Sequence, residues 1–252
     1  LRDVYKRQTL EDCSVGEIVI MRKDRVTQGV DRIMQAIADK EFELGQAIPG
    51  EAKLAEFLDV SRPTMREVVR TLADRGVLEV VHGRGTFVAP LDQWSDVRSR
   101  VDFISRTLSP GEVGFHLTEV RRMIEVGSCG HAAARAEDSD LDRMQTALDA
   151  YDAALEAHDV AGIAKSDVEF HNAVFEATKN PVVTALMIPL EGELATSRLR
   201  TSAVLEVAER AQEHHRRIYS AIKASDEEGA KNAMRAHMAQ TFDDLQRLVG
   251  EY

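Results

Sequence analysis

Cysteine, basic residues and long apolar runs are all in short supply in this chain of 252 residues, and each shortage excludes something. Two cysteines, Cys13 and Cys129, cannot build a disulfide framework; the fold must rest on a hydrophobic core, and the usage fits a reducing cytoplasm. No apolar stretch approaches the ~18 residues that a membrane-spanning helix needs. Lysine and arginine number 32 against 43 acidic residues, a net charge of −11. Spread evenly, that balance argues against nucleic acid, so it has to be examined region by region. The start lacks something too. LRDVYKRQ has no initiating methionine and no signal-peptide pattern, and it leads into no periodic segment. Residues 1–24 are therefore expected to be disordered or extraneous, with Met21 as a candidate start.

What is present is ample apolar material, 44% of the residues, enough for one or two cores. Val30, Ile33, Met34, Ile37 and Ala38 recur with the period of an amphipathic helix. LGQAIPG (44–50) interrupts that pattern, and Glu51 to Leu58 reads as a second, short helix. DVS (59–61) is a tight turn in which Asp59 tolerates the left-handed region. Ser61 then offers an N-cap. Pro63, in the first turn, removes only an N–H that has no intrahelical partner, so it opens a helix and does not break one. Met65, Val68, Val69 and Leu72 form the buried face of that helix, and Gly76 ends it. VLEVV (77–81) and TFVAP (86–90) flank HGRG (82–85) as a two-stranded hairpin with a glycine-rich tip.

Helix, helix, turn, helix, hairpin is the order of a winged helix-turn-helix, expected here over residues 25–90. Its third helix carries Arg62, Arg66 and Arg70 four apart, on one face. By spacing alone those arginines are equally a solvated surface paired with Glu67 or Asp74. Within this turn, cap and wing they point to double-stranded DNA, since the N-terminal residues of a groove-bound helix meet base edges first and an arginine fork matches guanine O6 and N7. Ser61 and Thr64 can reach phosphate or a base edge, and His82 and Arg84 sit at the wing tip. Over 25–90 there are 9 basic and 10 acidic side chains, so the positive charge is a stripe and not a field.

Beyond Pro90 a polar connector, 91–100, holds the sole tryptophan, Trp94. The rest, 101–248, reads as an all-helical domain, with helices expected at 97–108, 113–136, 139–157, 160–179, 182–200, 203–224 and 227–248. The chain is thus expected to be mainly α. In the helical region Asp167 and His171 share a helix face, while His215 and His237 lie on the last two helices. One carboxylate and three imidazoles suit Zn²⁺ or Ni²⁺, although eight histidines also produce chance pairs at this spacing. His214, one step off that face, is expected to point to solvent.

VSRPTMREVVRTLADRGVLEVVHGRGTFV closely resembles the DNA-binding domain of GntR-family transcriptional regulators. By that resemblance Ser61, Arg62, Thr64, Arg66, His82 and Gly83 fall on DNA-contacting positions, to which the stripe adds Arg70 and the wing Arg84. Ala52 departs from the family pattern by standing where an arginine is usual, as does Asp59 where glycine is usual. LTEVRRMIE, SDVEFHNAV, EHHRRIYSAI and AKNAMRAHM resemble, in order, helices of the FadR-type ligand-binding domain known as FCD. In its metal-binding members the ligands align with Asp167, His171, His215 and His237.

The same resemblance places Arg121 near the effector, where its guanidinium would clamp a carboxylate; a surface pair with Glu125 is the other reading. Asn172 and Arg198 are further polar candidates. FVAPLDQW is similar to members that sense sugar acids. The implied protein is a cytoplasmic homodimeric repressor of operator DNA controlled by a small organic acid. A metal-dependent hydrolase is the alternative, but the chain has no HExxH and no GxSxG nucleophile elbow.

Overall fold

The computed structural model describes residues 25–249, and the expected N-terminal segment 1–24 lies outside them. The chain divides into two compact units after Thr107. In the first, α1 (25–38) buries Val30, Ile33, Met34 and Ile37 against Leu54 and Leu58 of α2 (Glu51–Leu58) and Met65, Val68 and Leu72 of α3 (Arg62–Asp74). Asp59 caps α2 at φ 53° and ψ 49°, the left-handed conformation expected of it. At the start of α3, the Thr64 N–H donates to Ser61 Oγ and Pro63 occupies the first turn. Gly76 follows α3 at φ 74°, and a Cβ there would lie 2.8 Å from the Ser95 backbone nitrogen; conformation and space both require glycine.

Strands β1 (Ala47–Ile48), β2 (Leu78–Val81) and β3 (Gly85–Val88) form an antiparallel sheet in the order β1-β3-β2. The hairpin was expected; β1 was not, because two residues are too short to display a period. Ile48 is buried, and Gly45 N–H donates to Val88 O at 2.8 Å, so the breaker segment returns as the third strand.

Residues 91–100 are not a free linker. A 3-10 turn (Leu91–Gln93) leads to Trp94, which is 2% exposed and donates Nε1–H to Ala89 O. Its ring lies 5.2 Å from that of Phe103 on α4 (Val97–Thr107). Arg106 of α4 pairs with Asp102 and with Asp31 of α1. The boundary therefore moves from 100 to 107. Polar composition suggested a connector, yet two aromatic rings suffice to anchor it.

The second unit is a bundle of α5 (Pro110–Arg135), α6 (Asp138–Glu156), α7 (Val160–Ala177), α8 (Pro181–Met187), α9 (Glu191–Ser202), α10 (Leu205–Lys223) and α11 (Glu227–Val249). α11 lies against α5 and α10, α6 against α7, and α9 touches α5, α7, α10 and α11. Met144, Phe170, Val174, Ile218 and Met234 fill the core. The single helix expected over 182–200 is broken into α8, a 3-10 turn (Ile188–Leu190) and α9. Pro189 is the cause: it lacks the N–H an α-helix needs there and its ring crowds the preceding turn. No helix among the described residues is long and apolar enough to cross a membrane.

Candidate functional site

In the first unit the cap and the turn set the direction of α3, whose apolar face is spent on the core. Ser61, Arg62, Arg66 and Arg70 remain exposed. Arg66 is 71% exposed and shares a 3.3 Å ion pair with Glu51; Arg70, 72% exposed, lies 4.0 Å from both Glu67 and Asp74. Such exposed pairs hold their partners weakly, so a phosphate or a base edge can replace them. His82, Gly83 and Arg84 form the exposed tip of the β2–β3 hairpin, where Gly83 has φ 73° and the Arg84 guanidinium lies over Phe87. Thr64 departs from expectation: it is buried, and its hydroxyl shares a 2.8 Å hydrogen bond with Ser61 Oγ. Thr64 braces the cap and is not presented to a duplex.

In the second unit, α7, α10 and α11 bring Asp167, His171, His215 and His237 together, with one ligand atom from each lying within 4.8 Å of the others. All three histidines are buried. His215 Nδ1 lies 3.3 Å from Gln212 Oε1, which leaves Nε2 facing Asp167 Oδ1 at 3.4 Å with no hydrogen-bond partner. The other Asp167 oxygen, Oδ2, lies 3.2 Å from Arg198 Nε on α9. Burial pushes His215 down to about 3 and His237 well below its ordinary value, so both rings are neutral and keep a lone pair. Burial pushes the Asp167 carboxyl up, but the neighbouring positive charge, Arg198 first, outweighs it and holds it below the usual carboxylate range.

Neutral imidazoles beside a carboxylate, with buried nitrogens lacking partners, are the donor set of a divalent metal. A tetrahedral ion with bonds of ~2.0–2.1 Å would draw its donors to roughly 3.3 Å from one another, a small contraction of this cluster. The residues fit a metal. His214 is half-buried, with a buried Nδ1 that lacks a partner, and does not simply face solvent.

Arg121 and Glu125, expected as a surface pair or an effector clamp, are both buried: Arg121 Nε–H donates to Glu125 Oε1 at 2.6 Å. Glu125 Oε2 lies 2.7 Å from His171 Nδ1, although the angle is too oblique for a hydrogen bond. Burial pushes the Glu125 carboxyl up, and its neighbours, the Arg121 charge first, more than reverse that.

A cavity adjoins the cluster, and Arg121, Asp167, Arg198 and His237 are among the residues that line it. Among its other lining groups, Tyr151, Thr118, Thr201 and Thr241 each give the hydroxyl proton to a backbone carbonyl. Gln240 Nε2 donates to Asp244 Oδ2. Four of the five lining hydroxyls thus keep only lone pairs for a ligand. Asn172 is not among the lining residues; one position beyond His171, it is turned about 100° off the ligand face. Spacing did mark Glu125, four residues from Arg121, but nothing marked Gln212, three before His215. For Tyr151 and Asp244 no signal in the sequence existed.

An exposed arginine helix in a winged head, followed by a helical unit with a polar cavity, is the arrangement of a DNA-binding transcriptional regulator. Residues 26–88 match the gntR family of bacterial regulatory proteins, and residues 116–240 match the FCD domain. One relative, from Escherichia coli (strain K12), carries the provisional name L-lactate dehydrogenase operon regulatory protein. It is 31% identical over 91% of this chain and 90% of its own. The galactonate operon transcriptional repressor of the same strain is 28% identical over 87% and 97%, and the HTH-type transcriptional regulator LutR of Bacillus subtilis (strain 168) is 30% identical over 83% and 95%. Among solved structures, Streptococcus agalactiae GntR superposes with a TM-score of 0.51 at 27% identity, covering 86% of this chain and 99% of that one. The chain belongs to the gntR family of transcriptional regulators, with a C-terminal FCD domain; it is not an enzyme.

Proposed function

We propose that this regulator is a cytoplasmic homodimeric repressor of the FadR subfamily, whose hold on operator DNA is set by a small hydroxylated carboxylic acid bound beside a divalent metal, Zn²⁺ or Ni²⁺. The observation that carries the reading is the cavity beside the metal-ligand cluster. Arg121, Arg198 and the Asp167–His171–His215–His237 cluster line or adjoin it, and an arginine fork matches a carboxylate. The lining hydroxyls of Thr118, Tyr151, Thr201 and Thr241, their protons engaged, accept hydrogen bonds, so they suit a ligand that brings hydroxyl donors. Lactate and galactonate, which the names of two relatives invoke, are both hydroxy acids.

When bound, the metal supplies a Lewis-acidic position for an acid oxygen. Asp167, held from behind by Arg198, and the neutral rings of His215 and His237 would hold it, together with His171. On α3, Arg62 and Arg66 read bases, while Arg70, the Ser61 end and the wing tip residues His82, Gly83 and Arg84 position the head on the duplex. Two-fold half-sites about one helical turn apart call for a dimer. The acid alters operator affinity only as far as it prefers one arrangement of the dimer.

The test is a thermal-shift comparison of Zn²⁺-loaded protein with L-lactate, D-galactonate and propionate, the deoxy counterpart of lactate. A hydroxy acid should raise the melting temperature well above propionate, as any ligand selective for the native state does, and Arg121→Ala should abolish the shift. Equal shifts from propionate and the hydroxy acids, or a full shift in Arg121→Ala, would contradict the reading.

A further inference from the structure

Glu125 is completely buried, yet it neither faces the cavity as a lining residue nor belongs to the metal cluster. Its two oxygens go to two different functional groups. Oε1 accepts from Arg121 Nε, and Oε2 lies against His171 Nδ1. The triangle closes on its third side, because Arg121 Nη2 lies 3.2 Å from His171 Nε2. A guanidinium only donates, so in this contact the single lone pair of Nε2 accepts from Arg121 and the ring proton lies on Nδ1, beside Glu125 Oε2. Nε2 is also the atom left for coordination. It can serve the arginine or a metal ion, and not both.

The exchange has a consequence for Arg121. When the Nε2 lone pair is committed to coordination, Nη2–H loses its acceptor inside the protein. The guanidinium stays where it is, because Glu125 still holds Nε, and it then presents an unsatisfied donor on a cavity-lining side chain. A buried charged donor without a partner is costly, and a carboxylate is the group that best relieves it. Resting on the metal and acid reading above, we propose that Glu125 is a positioning residue that joins the two ligands: it orients His171 for the metal and holds Arg121 in place as a clamp, so that metal and carboxylate bind with positive coupling. By linkage each ligand then strengthens the other by the same factor.

Acetate serves as a generic carboxylate probe, and Zn²⁺ affinity is read by competition with a chromophoric chelator, corrected for the binding of acetate to free Zn²⁺. In the wild type, saturating acetate should tighten Zn²⁺ binding by about 5- to 150-fold, the span typical of coupled sites. Glu125→Gln keeps the shape of the side chain but not its charge. It should weaken Zn²⁺ about 10- to 100-fold, as losing the carboxylate behind a ligating histidine does, and should cut the acetate factor well below the wild-type value, to what direct coordination of acetate by Zn²⁺ supplies. A merely structural glutamate would lower stability and leave the acetate factor unchanged, and that outcome overturns the proposal. Should Glu125→Gln fail to fold, the wild type decides: an acetate factor near one overturns the joint while leaving the metal site standing. Failure of the wild type to retain Zn²⁺ removes the metal reading and the joint together.

Discussion

Arg62 is exposed in the first turn of α3, whereas Arg66 and Arg70 are already engaged with acidic neighbours. That difference favours Arg62 for the proposed base contact. Arg62→Ala should cost about 1–3 kcal/mol on the cognate site and relax specificity at one base pair; fluorescence anisotropy with single-base operator variants measures this, and equal losses on cognate and random DNA would rule the contact out. In the other unit, a His215→Ala, His237→Ala double variant should emerge from purification without metal. Elemental analysis checks this, and wild-type metal content would dispose of the cluster as a binding site. Single residues were unevenly legible. Ser61, Pro63 and Asp59 act through neighbours one to three positions away, so their roles could be read directly. Thr64 could not, because the same spacing that brings it to the groove-facing end also brings its hydroxyl onto the cap.

Among the elements, α6 shows how local chemistry fixes an end. Asp140 is completely buried and accepts from the Glu137 N–H, while Lys179 and Arg143 lie within ion-pair distance. Burial pushes its carboxyl up, but these partners together hold it below the usual carboxylate range. With the folded value below the unfolded one, the stabilisation is complete above about pH 4 and is lost as pH falls through the folded value. Melting temperatures from pH 6 down to 2.5 should therefore show a steeper acid loss for the wild type than for Asp140→Asn, which should already be less stable at pH 6. Parallel curves would mean that the pairing contributes nothing. The long helices were legible from their periods because each buries one stripe. β1 was too short to show a period, and Pro189, although visible, was read through. Trp94 and Phe103 looked like parts of a connector because burial is decided by tertiary neighbours that no single segment displays.

At the scale of the whole molecule, periodicity told which face of a helix is apolar but not which faces meet. Asp167 and His171 could be paired from their spacing; His215 and His237 joined them only through family resemblance; and Glu125, Gln212 and Tyr151 became part of the site only once the helices were packed. The net charge of −11 is compatible with DNA binding because the acidic surplus lies almost wholly outside residues 25–90, which hold 9 basic and 10 acidic side chains. If the head makes about 6–10 phosphate contacts, affinity should fall ~10³–10⁵-fold between 50 and 200 mM salt. A salt-independent association would show that the stripe is not the contact.

The most direct measurement is an anisotropy titration of the purified regulator on DNA from upstream of its own coding sequence, in four conditions: chelator alone, Zn²⁺ alone, hydroxy acid with chelator, and Zn²⁺ with hydroxy acid. Operator affinity should change by about 5- to 150-fold only in the last condition, and Arg121→Ala should remove the change. An operator affinity identical in all four conditions, with protein shown to hold both metal and acid, would contradict the claim that this cavity governs the reading head.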